Sequence, residues 1–483
     1  MILLCVYLVF FDEFTLRVVD IIGFGLFSES MEFSRKIYQK LLDWKVNSRG
    51  SESVLIEGAR RVGKSTIAKA FAQNEYRSYI LIDFSKASKA ILNAFDELEN
   101  LDVFFQMLSL QSGVRLYERE SLIIFDEIQK FPRAREATKH LVEDGRYDIL
   151  STGSLISIKE NVSDIVIPSE ELKLKMYPMD FEEFVLASGE DVLWAYIKES
   201  QEKKVALERN AHEKAMRLFR EYMLVGGMPQ SVDAYLSSNR DFHASDKKKR
   251  AILDLYRDDI KKAQKKYSSK VSALFEYIPA SLSTHEKRIV LSEIDKNGVF
   301  RKYDDPLFWL EDSMICNLCY KCNDPSVGFA LNLNESRVKA YMGDTGLLVS
   351  LAFSENELTG NELYRSIMDD HLSINEGMLY ENVISQMLVA GGRKLYYYTH
   401  YDEETNRNDM EIDFLLTNGS NLDFKVIPVE VKSSKNYHTT SFDLFRKRFG
   451  KRVGGAVIIH PKNYSYSDDV EKIPPYMVPL MFS

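Results

Sequence analysis

The chain has 483 residues, 45% of them hydrophobic and 28% charged, which is the composition of a globular protein able to bury several cores. At roughly 100 to 200 residues per domain, about three domains are expected. The formal net charge of −9 excludes an overall basic field that would draw in nucleic acid, although a basic groove can still sit on an acidic protein.

The N-terminus opens on an apolar run, MILLCVYLVFF, and then meets Asp12, Glu13, Arg17 and Asp20. That run is shorter than the roughly 20 apolar residues a membrane helix needs, so no integral span is expected. It also lacks the positive start and clean cleavage site of a secretory signal. Met31 begins MEFSRKIYQKLLDWK, an amphipathic helix, and reads as the natural start. Residues 1–30 then read as an upstream extension, with a peripheral membrane anchor as the competing reading.

From residue 53 to 154, short apolar runs alternate with helical stretches. VLIEG (54–58), YILIDF (79–84), SLIIFDE (121–127) and YDILSTGS (147–154) read as strands of a parallel sheet. The fold class is therefore α/β. Residues 180–255 are rich in helix formers and end a long helical region at Gly226, Gly227 and Pro229. A basic helix comes next at 246–266. Its lysines and arginine (Lys247, Lys248, Lys249, Arg250, Lys261, Lys262, Lys265, Lys266) are interrupted by Asp254, Asp258 and Asp259, as on a solvated face. Residues 271–350 read as helical with short extended pieces such as VGFALNL. Cys316, Cys319 and Cys322 lack a fourth ligand for zinc or an iron–sulfur cluster and read as small residues in a turn-rich helical segment. So few cysteines suit a reducing cytoplasm. After residue 370 the order becomes α-β-β-β-α-β: a helix at 377–392, the strands KLYYYTH, EIDFLL and VIPVEVK, a helix at 438–448, and the strand GGAVIIH.

Gly58-Ala59-Arg60-Arg61-Val62-Gly63-Lys64-Ser65, with Thr66 after it, matches G-x4-G-K-[ST] in full. The motif lies between a strand and a helix, where backbone N–H groups and the helix N-terminus can cradle phosphates. Lys64 is expected on the β- and γ-phosphates of ATP, and Ser65 on Mg2+. Asp126, ending the apolar strand LIIFD, is a second Mg2+ ligand, and Glu127 is placed to polarise the attacking water. Thr152 is the first choice, and Ser154 the second, for a γ-phosphate contact. Arg60 and Arg61 lie inside the loop, where phosphate, a neighbouring subunit or solvent could face them.

GARRVGKST, ILIDF, LIIFDEIQ, STGS, MYPMDFEEF and VGGMPQSV together resemble prokaryotic AAA-type (AAA_14) ATP-binding proteins that carry a C-terminal DUF4143 region, which look related to archaeal STAND-like ATPases. The resemblance runs from about residue 31 to the end. It implies an ATPase core at 31–185, a helical lid at 186–255, a winged-helix-like segment at 256–350, and it supports Met31 as the start.

Four residues of 370–483 form a further pattern: Glu381 on the helix, Asp413 on the middle strand, and Glu430 and Lys432 two apart on the third, hence on one strand face. The pattern resembles the PD-(D/E)xK nuclease fold. Carried over, Asp413 and Glu430 would ligate a second Mg2+ or Mn2+, Lys432 would assist, and Glu381 would complete the site. Two functions are compatible with these motifs. The first is an ATP-driven switch coupled to a metal-dependent nuclease-like domain, with DNA and further copies of the chain as candidate partners. The second is an ATP-regulated protein-interaction module whose nuclease-like domain is non-catalytic.

Overall fold

The computed structural model describes residues 33–154, 170–262, 267–284, 286–296, 298–355, 360–368, 376–402, 407–417 and 425–482. The reading of residues 1–30 lies outside them. After α1 (Lys36–Ser48), the first layer runs β1 (Ser53–Glu57), α2 (Lys64–Glu75), β2 (Ser78–Asp83), α3 (Lys89–Ala94), α4 (Leu101–Ser112), β3 (Ser121–Asp126), α5 (Pro132–Asp144), β4 (Asp148–Gly153) and β5 (Glu171–Lys175). The strands form one parallel sheet in the order β2-β3-β4-β1-β5. β1, β3 and β4 are buried along their whole length, because their apolar runs have helices on both faces. Val54, Ile56, Leu122, Ile124 and Leu150 pack with α1 and α2, whereas Leu55, Ile123, Phe125 and Ile149 pack with α4 and α5. That alternation is the two-residue period of a strand.

A helical region continues the chain: α6 (Phe181–Ala187), α7 (Asp191–Glu202), α8 (Arg209–Val225), α9 (Pro229–Ser237), α10 (Phe242–Lys262), α11 (Ser268–Ser283), α12 (Leu291–Ile294) and α13 (Asp304–Asp312). α10, the basic helix, is not a uniform solvated face. Lys249 is fully buried and donates to Leu224 O at 2.7 Å and Tyr364 Oη at 2.8 Å. Burial lowers its pKa to about 8, with Asp246 opposing.

The last third is built from β6 (Cys316–Cys322), β7 (Leu333–Met342), α14 (Thr345–Ala352), α15 (Asn361–Met368), α16 (Glu376–Ala390), β8 (Leu395–Asp402), β9 (Arg407–Ile412), β10 (Phe414–Thr417), β11 (Val426–Val431), α17 (Thr440–Phe449), β12 (Val457–Ile459), β13 (Ser465–Ser467) and β14 (Val470–Ile473). Two expectations are corrected here. The three cysteines lie on strand β6, not in a helical turn, and the extended pieces of the middle region are β6 and β7 rather than VGFALNL. Strand β6 pairs antiparallel with β7 and parallel with β8, so middle and C-terminal segments share a sheet of order β7-β6-β8-β9. The segment EIDFLL is two strands. It breaks at Asp413, where the chain leaves this sheet to begin the second, β10-β11-β12-β14-β13.

Candidate functional site

The phosphate-binding loop leaves β1 and enters α2, as its motif requires. Gly63 caps that helix at φ +100°, a conformation glycine adopts without steric cost. The Lys64 ammonium turns back onto its own loop, donating to Gly58 O at 2.9 Å and Ala59 O at 3.0 Å. Burial lowers its pKa to about 8, opposed by the nearby Glu127 and Asp126. Arg60 points away from the loop to Asp259 on α10, at 2.9 Å, and so does not face the phosphate cradle.

Asp126 ends the central strand β3. Its Oδ1 accepts Ser65 Oγ at 2.7 Å and also the Thr152 hydroxyl from β4. These are hard oxygen groups brought together at the mouth of the loop, and they fit a Mg2+ ion. Thr152 Oγ1 also accepts the Glu127 backbone N–H at 3.3 Å, so Thr152 orients both acidic residues. Glu127 adopts φ +56° and receives Gln129 Nε2 at 2.6 Å on its carboxylate. The structure thus gathers Lys64, Ser65, Asp126, Glu127 and Thr152 at one point. Sequence reasoning gives Gln129 no role although LIIFDEIQ contains it, and reads Asp259 only as a break in the basic helix, because neither contact follows from local spacing.

The C-terminal residues gather differently. Glu381 is buried and bonded to Lys287, Tyr341 Oη donates to it at 3.1 Å, and the Lys339 ammonium lies 3.9 Å away as an ion-pair partner. Lys339, itself buried, also reaches Glu411 at 2.8 Å. Asp413 accepts the Val431 backbone N–H at 2.8 Å. Burial pushes its carboxyl up to about 8, with Glu381 adding to the shift and Lys339 and Lys287 opposing it. Burial would raise Glu381 as well, but Lys287 and Lys339 outweigh it and hold the carboxylate low. Of the two carboxyls, Asp413 is the one that holds its proton more tightly, and the two ammonium groups balance Glu381 and Glu411.

Glu430 does not hydrogen-bond to Lys287 or Lys339, although Glu411 helps to raise its carboxyl. Val429 and Val431 pack with α16, while Val426, Leu415 and Ile458 pack with α17, so Glu430 alternates onto the α17 side. It meets Lys432 at 2.5 Å, and its Oε2 is buried with no hydrogen-bond partner. The structure therefore brings Glu381 and Asp413 together and pairs Glu430 with Lys432, with Glu411 near enough to act on both Asp413 and Glu430. Among the described residues, no group of three or more His, Cys, Asp or Glu side chains is arranged to hold a metal. Lys287 and Lys339 form the ion pairs of Glu381 and Glu411 in this pocket. Those lysines lie far from the E-x-K motif in sequence, and nothing in their local pattern marks them as buried.

Residues 50–185 match the family described as an AAA domain. The chain carries a P-loop AAA domain. Two further matches lie beyond it, both domains of unknown function: DUF8612 at 216–358 and DUF4143 at 376–477. Similar solved structures include the Walker-type ATPase of Pyrococcus abyssi, 15% identical over 68% of this chain and 99% of that chain, with a TM-score of 0.40. The Aeropyrum pernix ORC1 protein in complex with DNA is 12% identical over 68% of this chain and 94% of that chain, at a TM-score of 0.27. A STAND protein with a tetratricopeptide repeat sensor from Pyrococcus horikoshii is 12% identical over 75% of this chain and 46% of that chain, at 0.26. No curated protein matches the chain. No helix among the described residues is long and apolar enough to cross a membrane.

Proposed function

We propose that this protein is a magnesium-dependent ATP switch: its AAA domain binds and hydrolyses ATP, and its C-terminal domain is a non-catalytic scaffold for a protein partner. Lys64 would leave the carbonyls of Gly58 and Ala59 for the β- and γ-phosphates, while loop N–H groups from Ala59 to Thr66 cradle the rest. Ser65 and Asp126 are the ligands that would hold Mg2+, which neutralises phosphate charge when bound. Glu127, oriented by Gln129 and Thr152, would align the attacking water. The observation that carries the ATPase half is the Ser65–Asp126–Thr152 constellation at the mouth of a complete phosphate loop. The scaffold half is supported by Lys287 and Lys339, which balance the carboxylates that a nuclease would offer to metal.

A second reading, the nuclease-like domain acting on DNA, is favoured by one observation: the partnerless buried Glu430 Oε2 beside Lys432. The test of the ATPase is phosphate release from Mg2+-ATP. Wild type should turn over, while Lys64→Ala and Glu127→Gln should not, and Glu127→Gln should still bind ATP. A wild type that releases no phosphate would remove the proposal.

A further inference from the structure

A loop that binds phosphate through its N–H groups must turn its carbonyls outward, and each outward carbonyl in a buried site needs a donor. For five carbonyls of this loop the fold supplies a donor. Gly58 and Ala59 receive Lys64 Nζ, and Gly63 receives the Ile67 N–H at 3.0 Å inside α2. Val62 O receives Arg35 Nη1 at 2.9 Å, and Arg60 O receives the Tyr256 hydroxyl at 3.2 Å. Arg35 precedes α1, and Tyr256 lies on α10. Both are buried, and both fall outside residues 50–185.

Neither donor is free to wander. The Arg35 guanidinium also donates Nη2 to Tyr177 O at 2.7 Å and Nε to Glu183 at 3.1 Å. Glu183 is fixed in turn by the capping box it forms with Asp180 at the start of α6. Tyr256 sits one turn before Asp259, which holds the Arg60 side chain, so α10 grips Arg60 by both its carbonyl and its guanidinium. When Lys64 moves to phosphate, Arg35 and Tyr256 remain as the donors that keep Val62 and Arg60 turned outward.

We infer that Arg35 and Tyr256 are positioning residues of the nucleotide site, so that the α10 helix, from outside the AAA domain, sets its affinity for ATP. The inference rests on the reading of this site as an ATP site and adds the element that regulates it. A shift of α10 would take the Tyr256 hydroxyl from Arg60 O and weaken binding, and tight ATP binding would reciprocally hold α10 in place.

The test is a titration of the full chain with a fluorescent N-methylanthraniloyl ATP in Mg2+ buffer, alongside thermal melting. Tyr256→Phe removes one hydroxyl and keeps the ring, so the melting temperature should fall only slightly, while Kd rises about five-fold as the freed Arg60 carbonyl lets the loop leave its binding form. Arg35→Met should raise Kd about ten-fold or more, and Arg35→Lys should restore part of that. In Tyr256→Phe, the KM for ATP in phosphate release should rise by more than kcat falls, because the loss falls mainly on binding. If wild type binds the analogue and Lys64→Ala does not, yet Tyr256→Phe binds as tightly as wild type, this inference is overturned while the ATP site stands. If wild type and Lys64→Ala both fail to bind, the ATP reading itself fails.

Discussion

The Lys339 ammonium lies 2.8 Å from the Glu411 carboxylate and 3.9 Å from Glu381, with its side chain wholly inside the protein. A buried cation of this kind is tolerated only because its partners are fixed around it, and removing one side of such a pair leaves an uncompensated charge. Lys339→Met should therefore destabilise the chain by about 3 kcal/mol in denaturant unfolding. An unchanged midpoint would mean that Lys339 does not balance the carboxylates.

The same network predicts a pH dependence. The Asp413 carboxyl is held up to about 8 in the folded state, mainly by burial and then by Glu381. A carboxyl raised above its unfolded value stabilises the fold at low pH, and that contribution disappears as pH rises through the folded value. Stability should thus fall as pH rises from the ordinary carboxyl range toward about 8 and level off above it. Asp413→Asn, which keeps an acceptor for the Val431 N–H, should flatten that fall. Parallel melting-temperature profiles from pH 6 to 9 for the two proteins would contradict the protonated Asp413.

The GGMP turn pins the segment after the AAA sheet to a distant part of the chain. Gly227 donates its N–H to Asp344 at 2.6 Å, and its carbonyl accepts the Met179 N–H at 2.7 Å. A Cβ at this position would come within 2.0 Å of the Met179 carbonyl oxygen. Gly227→Ala should cost about 3 kcal/mol, since backbone on both sides must move. Wild-type stability in that variant would show the joint to be looser than described.

The phosphate loop is legible in the sequence because its chemistry dictates the spacing of its glycines, and β1, β3 and β4 are legible because buried parallel strands are near-continuous apolar runs. Strand β5 is not. ELKLK sits at the sheet edge, where half its side chains face water, and its charges mask the alternation. EIDFLL reads as one strand because nothing local says that Asp413 turns its carboxyl onto Val431 N and ends β9. Lys287 and Lys339 look like ordinary surface lysines until the fold brings them against Glu381. Arg35 and Tyr256 have no motif at all, because they act on backbone carbonyls whose direction only the folded loop defines.

The central claim is most directly tested by one reaction: the protein with Mg2+ and ATP, and separately with Mn2+, on single-stranded, duplex and branched DNA, with phosphate release measured in the same tube. Steady phosphate release, absent in Lys64→Ala, and no cleavage of any DNA are expected. Cleavage that Lys432→Ala abolishes would contradict the central claim and make the Glu430–Lys432 cluster a nuclease site.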